Sequence, residues 1–200
     1  MRNFVLLMVA ASLAACSSVT VPDMTYFRLP EPGNVDSSTL RQVTLPIDVE
    51  VFAADGLYAE QSIIYAIDAD ARALRGYHYQ LWSDPPSRML QRRLIGLLRR
   101  AQSGAQVTDR LPASADALRI DGVILRYDRI QKDGGFAAEV SMQLRVEHAG
   151  QIVLERVYSA EQKAENADIA STVQAFGGAV DRIFVEFLAA LSELPLGAKP

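Results

Sequence analysis

Apolar and polar residues alternate along several stretches of the chain, which is the pattern of strands with one buried face. The alternation is cleanest at residues 137–147, where every second side chain from Val140 to Val146 is apolar. Six further stretches are predicted as strands: residues 24–29, 45–52, 62–66, 77–81, 117–127 and 151–158. Glycine-containing turns at residues 133–135 and 149–150 are expected to join the last three strands.

Two other stretches place apolar residues at helical spacing. The first covers residues 87–102, and the second covers residues 168–194. The second helix carries Gly177 and Gly178 near its middle. Because each glycine costs about 1 kcal/mol relative to alanine inside a helix, we expect either close packing against the sheet or a kink at this point.

The order of these elements predicts the fold class. Several strands, a helix, three strands and a final helix indicate an α+β fold with a mostly antiparallel sheet and two amphipathic helices packed on one face. We expect residues 24–195 to form this single domain, which is long enough to bury one core, and residues 196–200 to form a tail.

The amino terminus has the composition of an export signal. A positive charge at Arg2 precedes an apolar run at residues 4–11, which is too short for a transmembrane helix of about 20 residues. The sequence Leu13-Ala-Ala-Cys16 resembles the lipobox of bacterial lipoproteins, whose cysteine receives a diacylglycerol and, after cleavage, an N-acyl chain. The alternative is an ordinary secretory signal with a chance cysteine. We expect a signal peptide at residues 1–15 and an acylated cysteine with a short periplasmic tether at residues 16–23.

Composition narrows the class of protein further. Cys16 is the only cysteine in the chain, so the mature domain contains no disulfide. A net charge of −4 at pH 7 gives no general affinity for nucleic acid. Ser17 follows the cysteine where an aspartate would be expected to retain a lipoprotein in the inner membrane. By resemblance to the sorting rules of Gram-negative envelopes, this favours the outer membrane.

The sequence contains no recognisable catalytic motif. There is no Gly-x-Ser-x-Gly elbow, no His-Glu-x-x-His motif and no glycine-rich phosphate loop after a strand. The two histidines, His78 and His148, are far apart in sequence, and we expect both to be surface or strand residues. We therefore expect a protein that is not an enzyme, with no catalytic residue, no metal site and no cofactor other than the covalent lipid on Cys16.

Two groups of residues are candidates for contacting a partner or a lipid. Arg88, Arg92 and Arg99 fall on one side of the first helix, opposite its leucines. This pattern indicates either a partner or anionic-lipid contact, or a solvated face whose arginine stems cover apolar surface. Tyr79 and Trp82 belong to an aromatic group near the predicted strands, which either lines an interface or packs in the ordinary core.

Several short segments follow one another in a recognisable order. They are Cys16 in its lipobox, Tyr26-Phe-Arg-Leu29, Ile47-Asp-Val-Glu-Val51, Ala59-Glu-Gln-Ser-Ile-Ile-Tyr65, and Tyr79-Gln-Leu-Trp82 before Pro85-Pro86 and the arginine-rich helix. In this order they resemble the ABC-type transport auxiliary lipoproteins, a family that includes the lipoprotein of the paraquat-inducible intermembrane transport system. The family commonly has Arg-Trp or Glu-Trp before the helix, where this chain has Leu81-Trp82.

The resemblance implies an auxiliary, non-enzymatic component of an envelope transport system that moves phospholipids or other hydrophobic compounds between the inner and outer membranes. Its implied partners are a periplasmic protein of the mammalian-cell-entry type and the ABC permease and ATPase of the same system. It also implies anchoring on the periplasmic face of the outer membrane and possible self-association, because some relatives form rings. The alternatives are an accessory lipoprotein of outer-membrane assembly and a periplasmic hydrolase.

Overall fold

A computed structural model of the chain describes residues 22–33, 40, 43–68, 70, 72–101, 106–113 and 116–194. Nine strands lie in these segments: β1 (Thr25–Phe27), β2 (Ile47–Val49), β3 (Ala53–Ala54), β4 (Ser62–Ala66), β5 (Leu74–Trp82), β6 (Val107–Thr108), β7 (Leu118–Lys132), β8 (Gly135–His148) and β9 (Gln151–Lys163). The helices are α1 (Pro86–Ala101), α2 (Ile169–Ser192) and a short 3-10 helix (Gly56–Ala59). The predicted signal peptide, Cys16 and the tail at residues 196–200 lie outside the described residues.

The long strands β7, β8 and β9 form an antiparallel meander, as the alternating pattern predicted. Two-residue turns join them, at Asp133–Gly134 and at Ala149–Gly150, and all four residues have positive φ angles. This is the turn geometry whose twist matches that of the paired strands. The hairpins therefore follow from local sequence, and they place β8 between its two neighbours.

The rest of the sheet is mixed, so the α+β class is confirmed but the mostly antiparallel arrangement is not. Strands β2, β3 and β4 lie in succession along the other edge of β7, and each is parallel to it. β1 is also parallel to β5, and β6 is parallel to β2, whereas β4 and β5 are antiparallel. Alternation reveals which face of a strand is buried, but it carries no information about the direction of the neighbouring strand.

Both helices bury their apolar sides in the same core. α2 contacts β8 and β9, whereas α1 contacts β2, β3 and β6, and the two helices also touch each other. The leucines predicted as the apolar stripe of α1 are all buried. At the centre of the core, the rings of Trp82 and Phe176 have centroids 5.4 Å apart, and those of Tyr127 and Phe176 have centroids 4.5 Å apart.

The helix α2 is continuous through its two glycines, and close packing explains Gly177. A Cβ atom on Gly177 would collide with Cγ of Pro30, so this glycine accommodates the segment that follows β1. A Cβ atom on Gly178 would lie 3.5 Å from Cγ of Gln162 in β9, which is an ordinary contact. The predicted packing against the sheet therefore applies to Gly178, whereas Gly177 packs against the chain after β1.

Candidate functional site

A groove of about 460 Å³ lies between α1 and the segment that follows β1. Its walls include apolar side chains and four arginines, and two carboxylates also reach it. The residues that line it are Arg28, Leu29, Pro30, Glu31, Pro32, Ser83, Asp84, Met89, Arg92, Arg93, Gly96 and Arg100. The groove thus combines apolar surface with several positive charges.

One of these arginines is a structural residue that holds the groove together. The side chain of Arg93 is 5% exposed, and its Nε donates to Oδ1 of Asp181 in α2 at 2.8 Å. Its Nη1 donates to the carbonyl oxygen of Pro30, and the other Asp181 oxygen accepts the amide N–H of Gly33 at 2.9 Å. Arg93 and Asp181 therefore fasten both helices to the segment that forms the opposite wall.

The remaining arginines of the groove are more accessible. Arg92 pairs with Asp84 at 2.8 Å, but both side chains are exposed, so the pair stabilises the fold little. Arg28 and Arg100 are exposed, and within the described ranges neither has a carboxylate at salt-bridge distance. Two guanidinium groups are thus free to meet a ligand or a partner.

The residues predicted as contacts lie in different environments. Arg88, Arg92 and Arg99 are all exposed on α1, but only Arg92 lines the groove. The guanidinium of Arg99 donates to the carbonyl oxygen of Val107 at 2.9 Å and 3.1 Å, which joins α1 to β6. Tyr79 is half-buried, with its ring centroid 6.5 Å from that of His78. The candidate set is therefore not one continuous site.

Trp82 lies in the core and is not accessible to a partner. Its side chain is 0% exposed, and its ring packs against those of Tyr127 and Phe176. Of the two interpretations of the aromatic group, core packing describes Trp82. The next residue, Ser83, lines the groove. Its backbone N–H donates to the carbonyl oxygen of Phe27 at 2.8 Å, which joins the end of β1 to the chain before α1.

Sequence reasoning missed Arg28 and Arg100 as groove residues. Arg92, Gly96 and Arg100 are spaced by four residues, so helical periodicity places them on one stripe. That signal was available in the sequence. Arg28 joins them only through tertiary structure, because the chain after β1 crosses next to α1.

A second polar cluster lies around Asp128 of β7, which is fully buried. Burial raises the pKa of the Asp128 carboxyl, although the Tyr58 hydroxyl and Arg126 oppose this in part. Burial together with Asp128 also raises the pKa of Tyr58. Arg126 donates instead to Glu139 at 2.7 Å. Asp128 does not line the groove, so this cluster is separate from the candidate site.

The two histidines do not line the groove. His148 lies 2.9 Å from Asp116 at the surface, and His78 is exposed on β5. In the part of the chain that the structure describes, no group of three or more His, Cys, Asp or Glu side chains can hold a metal ion. None of the described helices is both long and apolar enough to cross a membrane.

The fold is an α+β domain with a mixed sheet and an arginine-lined groove. Sequence comparison identifies the family of the chain. A family model of the ABC-type transport auxiliary lipoprotein component matches residues 27–186. The chain belongs to this family, as its short segments indicated. It is thus an auxiliary lipoprotein component of an ABC-type transport system, and a lipoprotein of such a system is anchored to a membrane of the cell envelope. No curated protein matches the chain by sequence.

Solved structures show the same fold. Protein XCC0632 from Xanthomonas campestris is 18% identical, with a TM-score of 0.66 over 85% of this chain and 93% of that protein. Another crystal structure, of an uncharacterized protein, is 16% identical, with a TM-score of 0.63 over 86% of this chain and 97% of that one. At these identities the similarity establishes the fold alone.

Proposed function

We propose that the protein is the outer-membrane-anchored docking component of an ABC-type system that moves lipids or other hydrophobic compounds between the inner and outer membranes. The observation that carries this proposal is the family match over residues 27–186, which extends from the end of β1 into α2. The acyl chains on Cys16 hold the domain at the membrane, since two or three chains make release negligible. The domain itself acts by contact and catalyses no reaction.

The partners in this proposal are a periplasmic protein of the mammalian-cell-entry type and the permease and ATPase of the same system. The outward side of α1 is the contact surface, with Arg88, Arg92 and Arg99 exposed along it. Arginine is favoured at protein interfaces because its planar guanidinium forms paired hydrogen bonds to carboxylates. Tyr79 is a separate candidate contact on β5, and copies of the domain associate with one another.

The test is affinity purification of the acylated protein from its own envelope, followed by mass spectrometry of the recovered proteins. We expect a permease, an ATPase and a mammalian-cell-entry protein to be recovered together. Recovery of only an outer-membrane barrel would instead indicate an assembly accessory, and recovery of none of these proteins would contradict the docking role.

Charge reversal then locates the contact surface. The double variant Arg88→Glu and Arg99→Glu is expected to reduce recovery of the partners by at least about tenfold, because a single charge-assisted contact is worth roughly 1.5–3 kcal/mol. Arg75→Glu is the matched control, since Arg75 is exposed on β5, outside α1 and the groove. Equal loss in both variants would show that α1 is not the docking surface.

The anchor and its membrane are tested separately by fractionation. Cys16→Ala should release the protein into the soluble periplasmic fraction, because the acyl chains are lost. Ser17→Asp should move the protein from the outer to the inner membrane. Unchanged fractionation of the Ser17 variant would refute the outer-membrane assignment while leaving the docking role untouched.

A further inference from the structure

Gly96 occupies a position in α1 where the fold does not require a glycine. It lies in the middle of a regular helix, where glycine is less favourable than alanine because it loses more backbone entropy on folding. Among the residues that the structure describes, a Cβ atom there would meet only Nη1 of Arg100 within 4 Å, at 3.8 Å, which is ordinary van der Waals contact. At Gly177, in contrast, a Cβ atom would collide with Pro30. The missing side chain of Gly96 therefore leaves a recess in the groove wall.

Positive charges surround this recess. Arg92 and Arg100 lie one turn before and one turn after Gly96, and Arg28 approaches from the opposite wall. Glu31 and Asp84 also line the groove, but the Asp84 carboxylate is already paired with Arg92. Among the described lining residues, Glu31 is therefore the one carboxylate that is not paired with an arginine, and it shares the groove with Arg28 and Arg100. In a chain with a net charge of −4, the groove is a local excess of positive charge.

The form of the groove indicates which anion it accepts. Guanidinium groups bind phosphate oxygens in pairs, and a phosphate presents enough oxygens for more than one arginine. Much of the wall is apolar, with Leu29, Pro30, Pro32 and Met89 beside the arginines. The volume of about 460 Å³ is within the range of small-molecule sites and exceeds what a phosphate ion needs. A phosphate ester with an apolar group attached matches both the arginines and the apolar wall.

We infer that the recess at Gly96 binds the phosphate group of an anionic phospholipid, with Arg28, Arg92 and Arg100 around the phosphate and the apolar wall against the glycerol and first methylenes. Arg93 contributes by position, since its bonds to Asp181 and Pro30 keep the two walls at a fixed separation. This inference does not rest on the proposed docking role, because it concerns the protein alone.

The experiment is native mass spectrometry of the full acylated protein, released from a neutral maltoside detergent and titrated with dihexanoylphosphatidylglycerol. We expect saturable binding of one lipid molecule per chain. Dihexanoylglycerol, which lacks the phosphate, and inorganic phosphate, which lacks the apolar part, should each bind at least about tenfold more weakly, because each loses one of the two contributions. Equal binding of inorganic phosphate would show a free-phosphate site, and equal binding of dihexanoylglycerol would show an apolar site; either result would overturn the inference.

Variants place the bound lipid in the groove. Arg100→Glu and Gly96→Leu should each weaken binding by about tenfold or more, the first through lost charge and the second through a filled recess. Glu31→Gln should strengthen binding, by roughly twofold to fivefold, because it removes a repelling carboxylate. Arg75→Glu reverses an exposed charge outside the groove and should leave binding unchanged.

The control variants also test whether the effect is specific to the groove. Equal weakening by Arg75→Glu and Arg100→Glu would mean that net charge alone attracts the lipid. If Gly96→Leu were misfolded, its thermal unfolding midpoint would fall, and Gly96→Ala together with Glu31→Gln would then decide the result. Loss of lipid binding with intact recovery of transporter proteins would separate this site from the docking surface.

Discussion

The two helices carry the same kinds of residue and use them differently. α1 and α2 each bury an apolar side in the common core, and each has a glycine near its middle. In α2, a Cβ atom on Gly177 would collide with Pro30, so this glycine is explained by what packs on it, whereas a Cβ atom on Gly178 would make an ordinary contact with Gln162. In α1, Gly96 lies beside a groove, and within the described part of the chain a Cβ atom there would meet only the end of the Arg100 side chain.

Their charged residues differ in the same way. Asp181 of α2 accepts hydrogen bonds from Arg93 and from the amide of Gly33, and it completes a buried junction. Arg100 of α1 has no carboxylate partner among the described residues, and Arg92 has one that is itself exposed. The fold therefore uses the charge of Asp181 in α2, whereas Arg92 and Arg100 of α1 stay exposed on the groove side. Substitutions that treat the two helices alike should consequently give different results.

The largest effect is expected at the buried ion pair. Asp181→Ala should lower the free energy of unfolding by about 3 kcal/mol, because it leaves the buried guanidinium of Arg93 without its counter-charge. The measurement is urea unfolding followed by circular dichroism. The double variant Arg93→Met with Asp181→Leu is the control, and it should recover much of the loss, since no unpaired charge stays buried. A loss below about 1 kcal/mol for Asp181→Ala would mean that the junction does not hold the helices together.

Gly177→Ala is expected to have the next largest effect. Its Cβ atom would collide with Cγ of Pro30 and would lie 2.8 Å from Cδ, so the segment after β1 must move. Overpacking costs about 1–3 kcal/mol, which exceeds the gain of about 1 kcal/mol in helix propensity. We expect a net loss of about 1 kcal/mol in urea unfolding. The second variant Pro30→Ala should relieve the collision, so the double variant should lose less than the two single variants combined.

Sequence patterns predicted the local parts of this fold well. The meander from β7 to β9, with turns at Asp133 and Ala149, follows from alternation and from turn residues that lie next to each other in the chain. The parallel pairing of β2, β3 and β4 with β7 depends on contacts between residues far apart in sequence. The two-residue strands β3 and β6 are too short to produce a periodic pattern, and neither was predicted.

The candidate site was predicted in part for the same reason. Arg92 belongs to the predicted arginine face and does line the groove, whereas Arg28 enters it from the other wall, where no helical spacing can place it. Trp82 was singled out by its place before α1, but residue type alone does not distinguish an exposed tryptophan from one that is 0% exposed. Only the position of its neighbours in the fold decides this.

Gly96→Ala should have an effect of opposite sign to that of Gly177→Ala. In the described segments, the nearest atom to the added methyl group is the end of the flexible Arg100 side chain, so the gain in helix propensity is retained. The free energy of unfolding should increase by up to about 1 kcal/mol. Urea unfolding of Gly96→Ala and Gly177→Ala under the same conditions tests whether the two helices differ as described. Destabilisation by Gly96→Ala would show that a packing requirement exists at this position, and it would remove the argument that the glycine is kept for a ligand.

The smallest effect is expected for Asp84→Ala, which removes the carboxylate paired with Arg92. The two side chains are 40% and 59% exposed, so water and salt screen their attraction. The free energy of unfolding should change by less than about 0.5 kcal/mol. The comparison with Asp181→Ala is informative because both substitutions remove a carboxylate that lies 2.8 Å from an arginine nitrogen. If Asp84→Ala and Asp181→Ala lost the same stability, burial would not distinguish the two ion pairs. The difference between the structural charge of α2 and the exposed charges of α1 would then be wrong. If only Asp181→Ala lost stability, the arginines on the groove side of α1 would be available for binding at almost no cost to the fold.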